Sequence, residues 1–171
     1  MPNTEGAASP IEWAPDGGAF LYRTGSSLKR RDLAATVSTD VPTGDTVGIG
    51  AGVSYAEASS GDVLVVDTQR AVIRISGRGG SPAPVGLRLP DGHLPEHVAF
   101  LPDSQRYLVT TSASGRGALF LAKLGADTPR HVADDVGGRV VFVPPDILVF
   151  RRQSTLVAQR IDLEGADLVG T

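Results

Sequence analysis

Two of the three histidines have the spacing of a metal-binding pair. His93 and His97 lie four residues apart, the interval at which two histidines on a helix can bind zinc. Pro95 lies between them, so the segment is interpreted as a loop and not as a helix. His131 stands alone on a predicted outer strand, and we interpret it as a surface or hydrogen-bonded residue. The histidines therefore predict no metal site.

Other residues of reactive type also lack the setting that their chemistry needs. Residues 48–52 (Gly-Ile-Gly-Ala-Gly) resemble the start of a dinucleotide fingerprint, but no helix-forming segment follows them. Ser54 and Ser112 lie outside any Gly-x-Ser-x-Gly elbow. Calcium needs several oxygens from one loop, and only Asp134 and Asp135 come near this pattern. We expect no catalytic, cofactor-binding or metal-ligating residue, and hence no enzyme.

The charged residues give no electrostatic reason to expect nucleic acid or an anionic membrane. Sixteen Lys and Arg stand against nineteen Asp and Glu, and the net charge is −3. The pairs Arg30–Arg31 and Arg151–Arg152 occupy corresponding halves of different repeats, so they could line one surface. Exposed strands need such charges for solubility in any case. The pairs are not predicted to form a site.

The composition excludes a helix bundle and disulfide bonds. The 171 residues include 21 glycines, 12 prolines and no cysteine, and glycine and proline are excluded from most helix interiors. No apolar stretch reaches the roughly 18 residues that a transmembrane helix needs. The first residues lack the basic and apolar regions of a secretory signal.

A Pro-Asp turn that follows an aromatic or apolar segment recurs along the chain. Its aspartates are Asp16, Asp103 and Asp146, about 87 and about 43 residues apart. A degenerate copy without proline, residues 55–62, lies near the midpoint of the longer interval. Proline fixes φ and aspartate bonds to nearby backbone, so we interpret these residues as turn formers between two strands.

The segments after each turn have the composition of short strands. They are rich in β-branched and aromatic residues, as in residues 19–23, 63–66, 107–111 and 147–150, and a third run follows at residues 28–33, 72–75, 119–124 and 156–161. Residues 154–163 and 28–37 could also pass for short helices, but a helix there would break the register of the copies. Four antiparallel strands per roughly 43 residues is the unit of a β-propeller blade.

The sequence therefore predicts an all-β chain of about four blades, a partial or open β-propeller. The approximate blades are residues 7–43, 44–88, 94–136 and 137–171. Trp13-Ala-Pro-Asp-Gly and Phe100-Leu-Pro-Asp-Ser, each followed by an apolar strand, resemble the TolB-like, WD-repeat-like propellers of bacteria. Residues 95–167 are similar to the C-terminal propellers of bacterial transmembrane serine/threonine protein kinases, most closely in residues 140–151 and 155–160.

This resemblance implies a function for the chain and for a larger parent protein. The chain has no kinase motif, and the kinase propellers serve as sensor or interaction parts, so we expect a non-catalytic module that binds a protein or small ligand on its propeller face. An extracytoplasmic location would follow from the resemblance. The alternative is the propeller of a prolyl-oligopeptidase-like hydrolase without its catalytic domain. We also expect the chain to be a fragment whose edge strands allow self-association.

Overall fold

The computed structural model describes residues 7–170 of the chain. Within this range the backbone forms sixteen β-strands, joined by turns and loops, and no helix. No segment of it therefore has the helical length and apolarity that a membrane crossing requires. The strands form four four-stranded antiparallel sheets, each with its strands in chain order. The predicted all-β class with four propeller-type blades is confirmed.

The first eight strands form two sheets. The first sheet contains β1 (Ala7–Trp13), β2 (Ala19–Thr24), β3 (Ser27–Asp32) and β4 (Thr39–Asp40). The second sheet contains β5 (Ser54–Glu57), β6 (Val63–Val66), β7 (Val72–Ile75) and β8 (Ala83–Pro84). The fourth strands of both sheets have only two residues, which leaves little backbone free for pairing with another chain.

The last eight strands form the other two sheets. The third sheet contains β9 (Leu94–Phe100), β10 (Arg106–Ala113), β11 (Arg116–Lys123) and β12 (Arg130–Asp134). The fourth sheet contains β13 (Val136–Val143), β14 (Ile147–Arg152), β15 (Thr155–Asp162) and β16 (Asp167–Val169). The chain divides into two compact units between Pro84 and Val85, with two sheets in each.

The segments that could have been helical lie in strands and loops. Residues 154–163 start in the turn after β14 and continue through β15, whose pairing with β14 runs without interruption from Thr155 to Arg160. Residues 28–37 cover most of β3 and the loop that follows it. Because each third strand pairs with the second strand of its sheet, cross-strand hydrogen bonds decide between two conformations that the short apolar pattern leaves open.

The Pro-Asp segments form the turns between first and second strands. The carboxylate of Asp16 accepts a hydrogen bond from the Gly18 N–H at 2.8 Å, and that of Asp103 accepts from Gln105 and Arg106 at 2.9 and 2.8 Å. Asp146 lies in the corresponding turn of the fourth sheet and pairs with Arg160 of β15. The contacts of Asp16 and Asp103 are the local backbone bonds expected of aspartate in a turn, whereas Asp146 bonds to a side chain of the third strand.

Asp62 stabilises the degenerate turn of the second sheet, where proline is missing. Its buried carboxylate accepts from the Gly77 N–H at 2.9 Å and from Arg74 at 2.8 Å. Burial by itself would raise the pKa of Asp62, but the hydrogen bonds from Gly77 and Arg74 outweigh it and lower the pKa below the ordinary value. A carboxylate that ties the turn to β7 thus takes the place of a rigid proline.

In the first unit the two sheets are joined by apolar packing and by one buried ion pair. Leu21 and Leu28 of the first sheet pack with Tyr55 and Val65 of the second sheet in a single core. At the same interface Arg30 Nε donates to both oxygens of Glu57, at 2.9 and 3.1 Å. The Glu57 side chain is only 7% exposed, so Arg30 neutralises a charge that would otherwise be costly to bury.

In the second unit the third sheet packs on the first strand of the fourth sheet. Strands β9, β10 and β11 all contact β13, and Leu108, Leu119 and Phe150 belong to one continuous core. The Thr110 hydroxyl donates to the Gly138 carbonyl at 2.8 Å across this contact. The two sheets of this unit are therefore held together by side chains that project from one sheet and are buried against the next.

Replacing Arg30 by Met should lower the free energy of unfolding by about 2 kcal/mol, because Glu57 would keep its burial and lose its countercharge. The matched control is Lys29→Met, since Lys29 lies next in the same strand and pairs with Asp40, which is 69% exposed. Denaturant unfolding should show the larger loss for the Arg30 variant. Equal losses in the two variants would contradict a special role for the Arg30–Glu57 pair.

Tyr107 should tolerate loss of its hydroxyl, because that group is buried without a hydrogen-bond partner among the described residues. Burial also raises the pKa of this phenol to about 12. Tyr107→Phe should leave unfolding free energy unchanged or raise it, whereas Tyr22→Phe should lower it by about 1 kcal/mol. The Tyr22 hydroxyl donates to Ser38 Oγ at 2.8 Å. A larger loss for the Tyr107 variant in thermal unfolding would refute this account.

Candidate functional site

Strand direction separates two ends in every sheet. The Pro-Asp turns, or Asp62 in the second sheet, lie at one end, which we call the turn end. The hairpin between second and third strands lies at the opposite end, together with the link that enters the next sheet. We call this second end the junction end. Loops at the junction end carry the residues that strand packing does not use, so it is the first place to look for a site.

A recess of about 390 Å³ lies at the junction end of the third sheet. Its walls come from three places: the segment before β9, the hairpin between β10 and β11, and the turn between β12 and β13. The lining residues are His93, Ala113, Arg116, Gly117, Ala118, Asp134 and Asp135. Antiparallel pairing brings these segments together although they are up to about 40 residues apart in the chain.

Beside the recess, two histidines lie on either side of a phenylalanine. The ring of Phe120 is buried, and His93 meets it edge to face at 5.4 Å between centroids. His131 meets the same ring at 5.5 Å and an interplanar angle of 78°. The edge-to-face geometry is a favoured arrangement for aromatic rings. It fixes the imidazole of His93 in the lining of the recess and that of His131 next to the same ring.

The polar partners of the two histidines differ. His93 Nδ1 shares a 2.8 Å hydrogen bond with the Thr111 hydroxyl, and His131 Nε2 lies 3.0 Å from Asp134 Oδ1. Thr111 is completely buried, so its hydroxyl is not placed to attack a substrate although an imidazole contacts it. The arrangement can position hydrogen-bonding groups, and it does not provide an accessible nucleophile.

Two charged side chains at the recess remain available for a ligand. Arg116 and Asp135 are exposed, and neither forms an ion pair with any other residue in the described range. Asp135 occupies the turn between β12 and β13 with φ of 57°, in the left-handed region. Aspartate tolerates this conformation better than most residues. The recess therefore offers a cation, a carboxylate and the imidazole of His93 within one small surface.

The first sheet has a recess in the equivalent place. It has a volume of about 590 Å³ and is lined by Ser26 and Ser27 of the hairpin and by residues of the 40–49 segment that leads to the second sheet. Gly48 packs so closely on Thr68 that an added Cβ would lie 2.1 Å from the Thr68 hydroxyl oxygen. The glycine-rich segment is thus a tightly packed link between sheets. The interpretation of residues 48–52 as a loop agrees with this position.

A third cleft, of about 510 Å³, lies at the turn end between the third and fourth sheets. Two of the three cations that line it are used in structural bonds: Arg106 pairs with Asp103 at 2.6 Å, and Arg130 donates to the carbonyls of Glu164 and Gly165. Burial tends to raise the pKa of Asp103, but the N–H groups of Arg106 and Gln105 and the Arg106 guanidinium lower it overall. This cleft joins two sheets and is not our candidate site.

The histidine pair of the sequence analysis is divided between two environments. His93 belongs to the recess, whereas His97 lies on β9 opposite Thr110. Within the described residues no three His, Asp or Glu side chains are grouped so that they could hold a metal ion. His131 is half exposed and hydrogen-bonded, as its interpretation required.

The two basic pairs have separate and mainly structural contacts. Arg30 forms ion pairs with Glu57 and Asp32. The Arg152 guanidinium carbon lies 5.2 Å from the centroid of the Phe150 ring. Arg116, which lines the recess, and Phe120, which packs on His93, were not predicted from the sequence. A phenylalanine in a strand and an arginine beside a glycine turn carry no local signal of function.

Comparison with protein-family models and with curated proteins finds no match. Among solved structures, the chain resembles the Kuenenia stuttgartiensis hydrazine synthase, with TM-score 0.66, 17% identity, and coverage of 94% of this chain and 47% of that one. TolB from Acinetobacter baumannii gives TM-score 0.68 and 13% identity over 94% of this chain and 42% of TolB. A structure of a nidogen/laminin complex gives a TM-score of 0.58 and 13% identity, with coverage of 94% of this chain and 77% of that one.

These likenesses concern the fold. The TolB match supports the TolB-like propeller inferred from the Pro-Asp repeats. The chain spans less than half the length of the hydrazine synthase and TolB chains that it matches. One propeller fold occurs here in an enzyme and in a protein complex, so function must be argued from the site.

Asp103 generates a prediction on pH. Because its pKa is lower in the folded protein, the carboxylate stabilises the fold above the ordinary aspartate pKa, and this stability is lost as pH falls through the folded pKa. Asp103→Asn should therefore make stability fall less steeply below about pH 4. Asp91→Asn, at an exposed carboxylate without a hydrogen bond to other described residues, should keep the wild-type slope in acid denaturation. Parallel slopes for all three proteins would contradict the assignment.

Proposed function

We propose that this chain is a non-catalytic binding module of a larger protein, and that it binds a protein or small polar ligand at the junction end. The observation that carries the proposal is the recess of the third sheet, where Arg116 and Asp135 lie without an ion pair to another described residue beside the fixed imidazole of His93. A ligand with both an acidic and a basic or amide group matches this set.

The geometry favours binding over catalysis. The Thr111 hydroxyl that contacts His93 is buried, and Thr111 does not line the recess. Catalysis of acyl transfer would need an accessible nucleophile and donors for a developing oxyanion. The recess residues provide no accessible nucleophile. A protein surface or a peptide segment needs only matched charges and ring contacts, which these residues offer.

We further propose that the parent resembles a bacterial receptor serine/threonine kinase, with this chain as its sensor or interaction part. The support is the run of residues 140–151 and 155–160 that resembles such propellers. The coding sequence on either side tests this part directly. A kinase domain and a membrane helix upstream would support it, and a downstream Gly-x-Ser-x-Gly would favour the peptidase alternative instead.

Binding at the recess is testable by site-specific photocrosslinking. A benzophenone amino acid at position 116 should capture a partner in extract of the cells that make the protein. Position 123 is the control, because Lys123 is exposed at the turn end. Excess wild-type chain should abolish the adduct, and an Arg116→Ala/Asp135→Ala chain should compete at least tenfold more weakly. An adduct that forms equally at both positions would overturn the proposal. Equal competition by the wild-type chain and the double variant would also overturn it.

A further inference from the structure

The recess of the third sheet has more hydrogen-bonding capacity than the chain itself uses. Arg116 carries a fork of N–H donors and Asp135 carries two acceptor oxygens, and neither side chain bonds to another described residue. Asp134 also lines the recess, and its Oδ1 faces Nε2 of His131 at 3.0 Å, which leaves Oδ2 for another donor. The unused groups of the recess therefore include both signs of charge.

His93 adds a hydrogen-bond acceptor, and Thr111 decides which ring nitrogen carries it. The Thr111 hydroxyl donates to the Ala118 carbonyl at 3.4 Å, so it accepts its 2.8 Å bond from the Nδ1–H of His93. With the proton on Nδ1, the free lone pair of the neutral imidazole lies on Nε2. No described residue bonds to this nitrogen, so it can accept from a ligand.

The backbone around the recess is tightly packed, so the shape of the recess exists before a ligand binds. A Cβ added to Gly117 would lie 1.8 Å from the Val136 carbonyl oxygen, which shows that the hairpin of the third sheet lies directly against the start of β13. Strand pairing of Ala118 with Asp134 fixes the opposite wall. A preformed site loses less conformational entropy on binding, which matters most for a small ligand.

The size of the recess favours a small molecule over a folded partner. Its volume of about 390 Å³ is at the lower end of the roughly 300–1,000 Å³ found for small-molecule sites. A specific protein interface buries about 800 Å² on each partner and involves roughly 20–30 residues of each, whereas seven residues line this recess. A ligand of the size of an amino acid or a dipeptide matches this volume.

The charges of the recess indicate the chemical class of that ligand. A ligand anion would pair with the Arg116 guanidinium, and a ligand ammonium group would donate to the two aspartates and to Nε2 of His93. A ligand with only one charge would cover the opposite recess group without giving it a partner, which costs desolvation energy. Free amino acids and short peptides carry both charges in one small molecule.

We propose that the recess binds a zwitterion of amino-acid size, with the ligand carboxylate on Arg116 and the ligand ammonium group on Asp135 and Nε2 of His93. This inference rests on the binding function proposed above and narrows its ligand to one chemical class. The planar guanidinium of Arg116 suits a carboxylate, since it can donate two parallel hydrogen bonds to it. The ligand is held at both ends, so its orientation in the recess is fixed.

Titration of the isotopically labelled chain with each of the standard free amino acids, followed by heteronuclear NMR, tests the ligand class. At least one amino acid should shift the amide signals of Gly117 and Asp135 in a saturable manner, while the signal of Lys123 at the turn end stays in place. The N-acetyl form and the amide form of that amino acid each lack one charge, and each should bind at least tenfold more weakly. Absence of a saturable shift with every amino acid would overturn the proposal.

Two variants that remove one charge each assign the two ends of the ligand. Arg116→Gln should weaken binding of the free amino acid at least tenfold and leave binding of its amide form unchanged, because that form has no carboxylate. Asp135→Asn should weaken the free amino acid and leave the N-acetyl form unchanged, and asparagine tolerates the left-handed backbone at this position. The dispersion of the amide spectrum shows whether each variant is folded.

A matched control separates local recognition from the effect of net charge. Lys123→Gln also removes one exposed cation, but at the turn end, and should bind the amino acid as the wild type does. Equal losses in the Lys123 and Arg116 variants, or equal binding of the amino acid and its two blocked forms, would contradict recognition of both charges at the recess. A protein captured through position 116, with no shift by any amino acid, would refute this inference and leave the binding function intact.

Discussion

Sheets that are apolar on both faces impose the main constraint on this chain. A four-stranded sheet cannot bury both of its faces by itself, and so it must pack against a neighbour. The cores of both units show how the sheets bury their faces. Leu21 and Leu28 project from the first sheet and pack with the second, and Leu108 and Leu119 project from the third sheet and pack with the fourth. The repetition of this contact is what makes the chain a series of blades.

Polar residues are compatible with this packing only where they are paired. Glu57 lies within the first interface because Arg30 neutralises it, and Thr110 lies within the second because it donates to Gly138. Asp62 is buried at the turn end, where backbone N–H and guanidinium groups hold it in its charged form. Such bonds make the contacts specific, since a shifted sheet would leave a charge or a donor without its partner.

The distribution of these internal bonds also explains where a binding site remains. Strand residues take part in strand pairing and in contacts between sheets. At the turn end, aspartates and arginines form bonds that join neighbouring segments. The junction end of the third sheet retains Arg116 and Asp135 without internal partners. A rigid scaffold with chemistry restricted to its loops is a common solution for recognition.

The sequence by itself determined the local structure, because proline and aspartate set turn geometry and β-branched residues favour strands without any distant contact. The recurrence of Asp16, Asp103 and Asp146 thereby predicted the four-stranded units and their number. Only the tertiary structure decided which side chains meet. The Arg30–Glu57 pair and the Phe120 ring between His93 and His131 both join residues from different strands or sheets. Such contacts depend on register and on sheet packing, and no local pattern of residues encodes them.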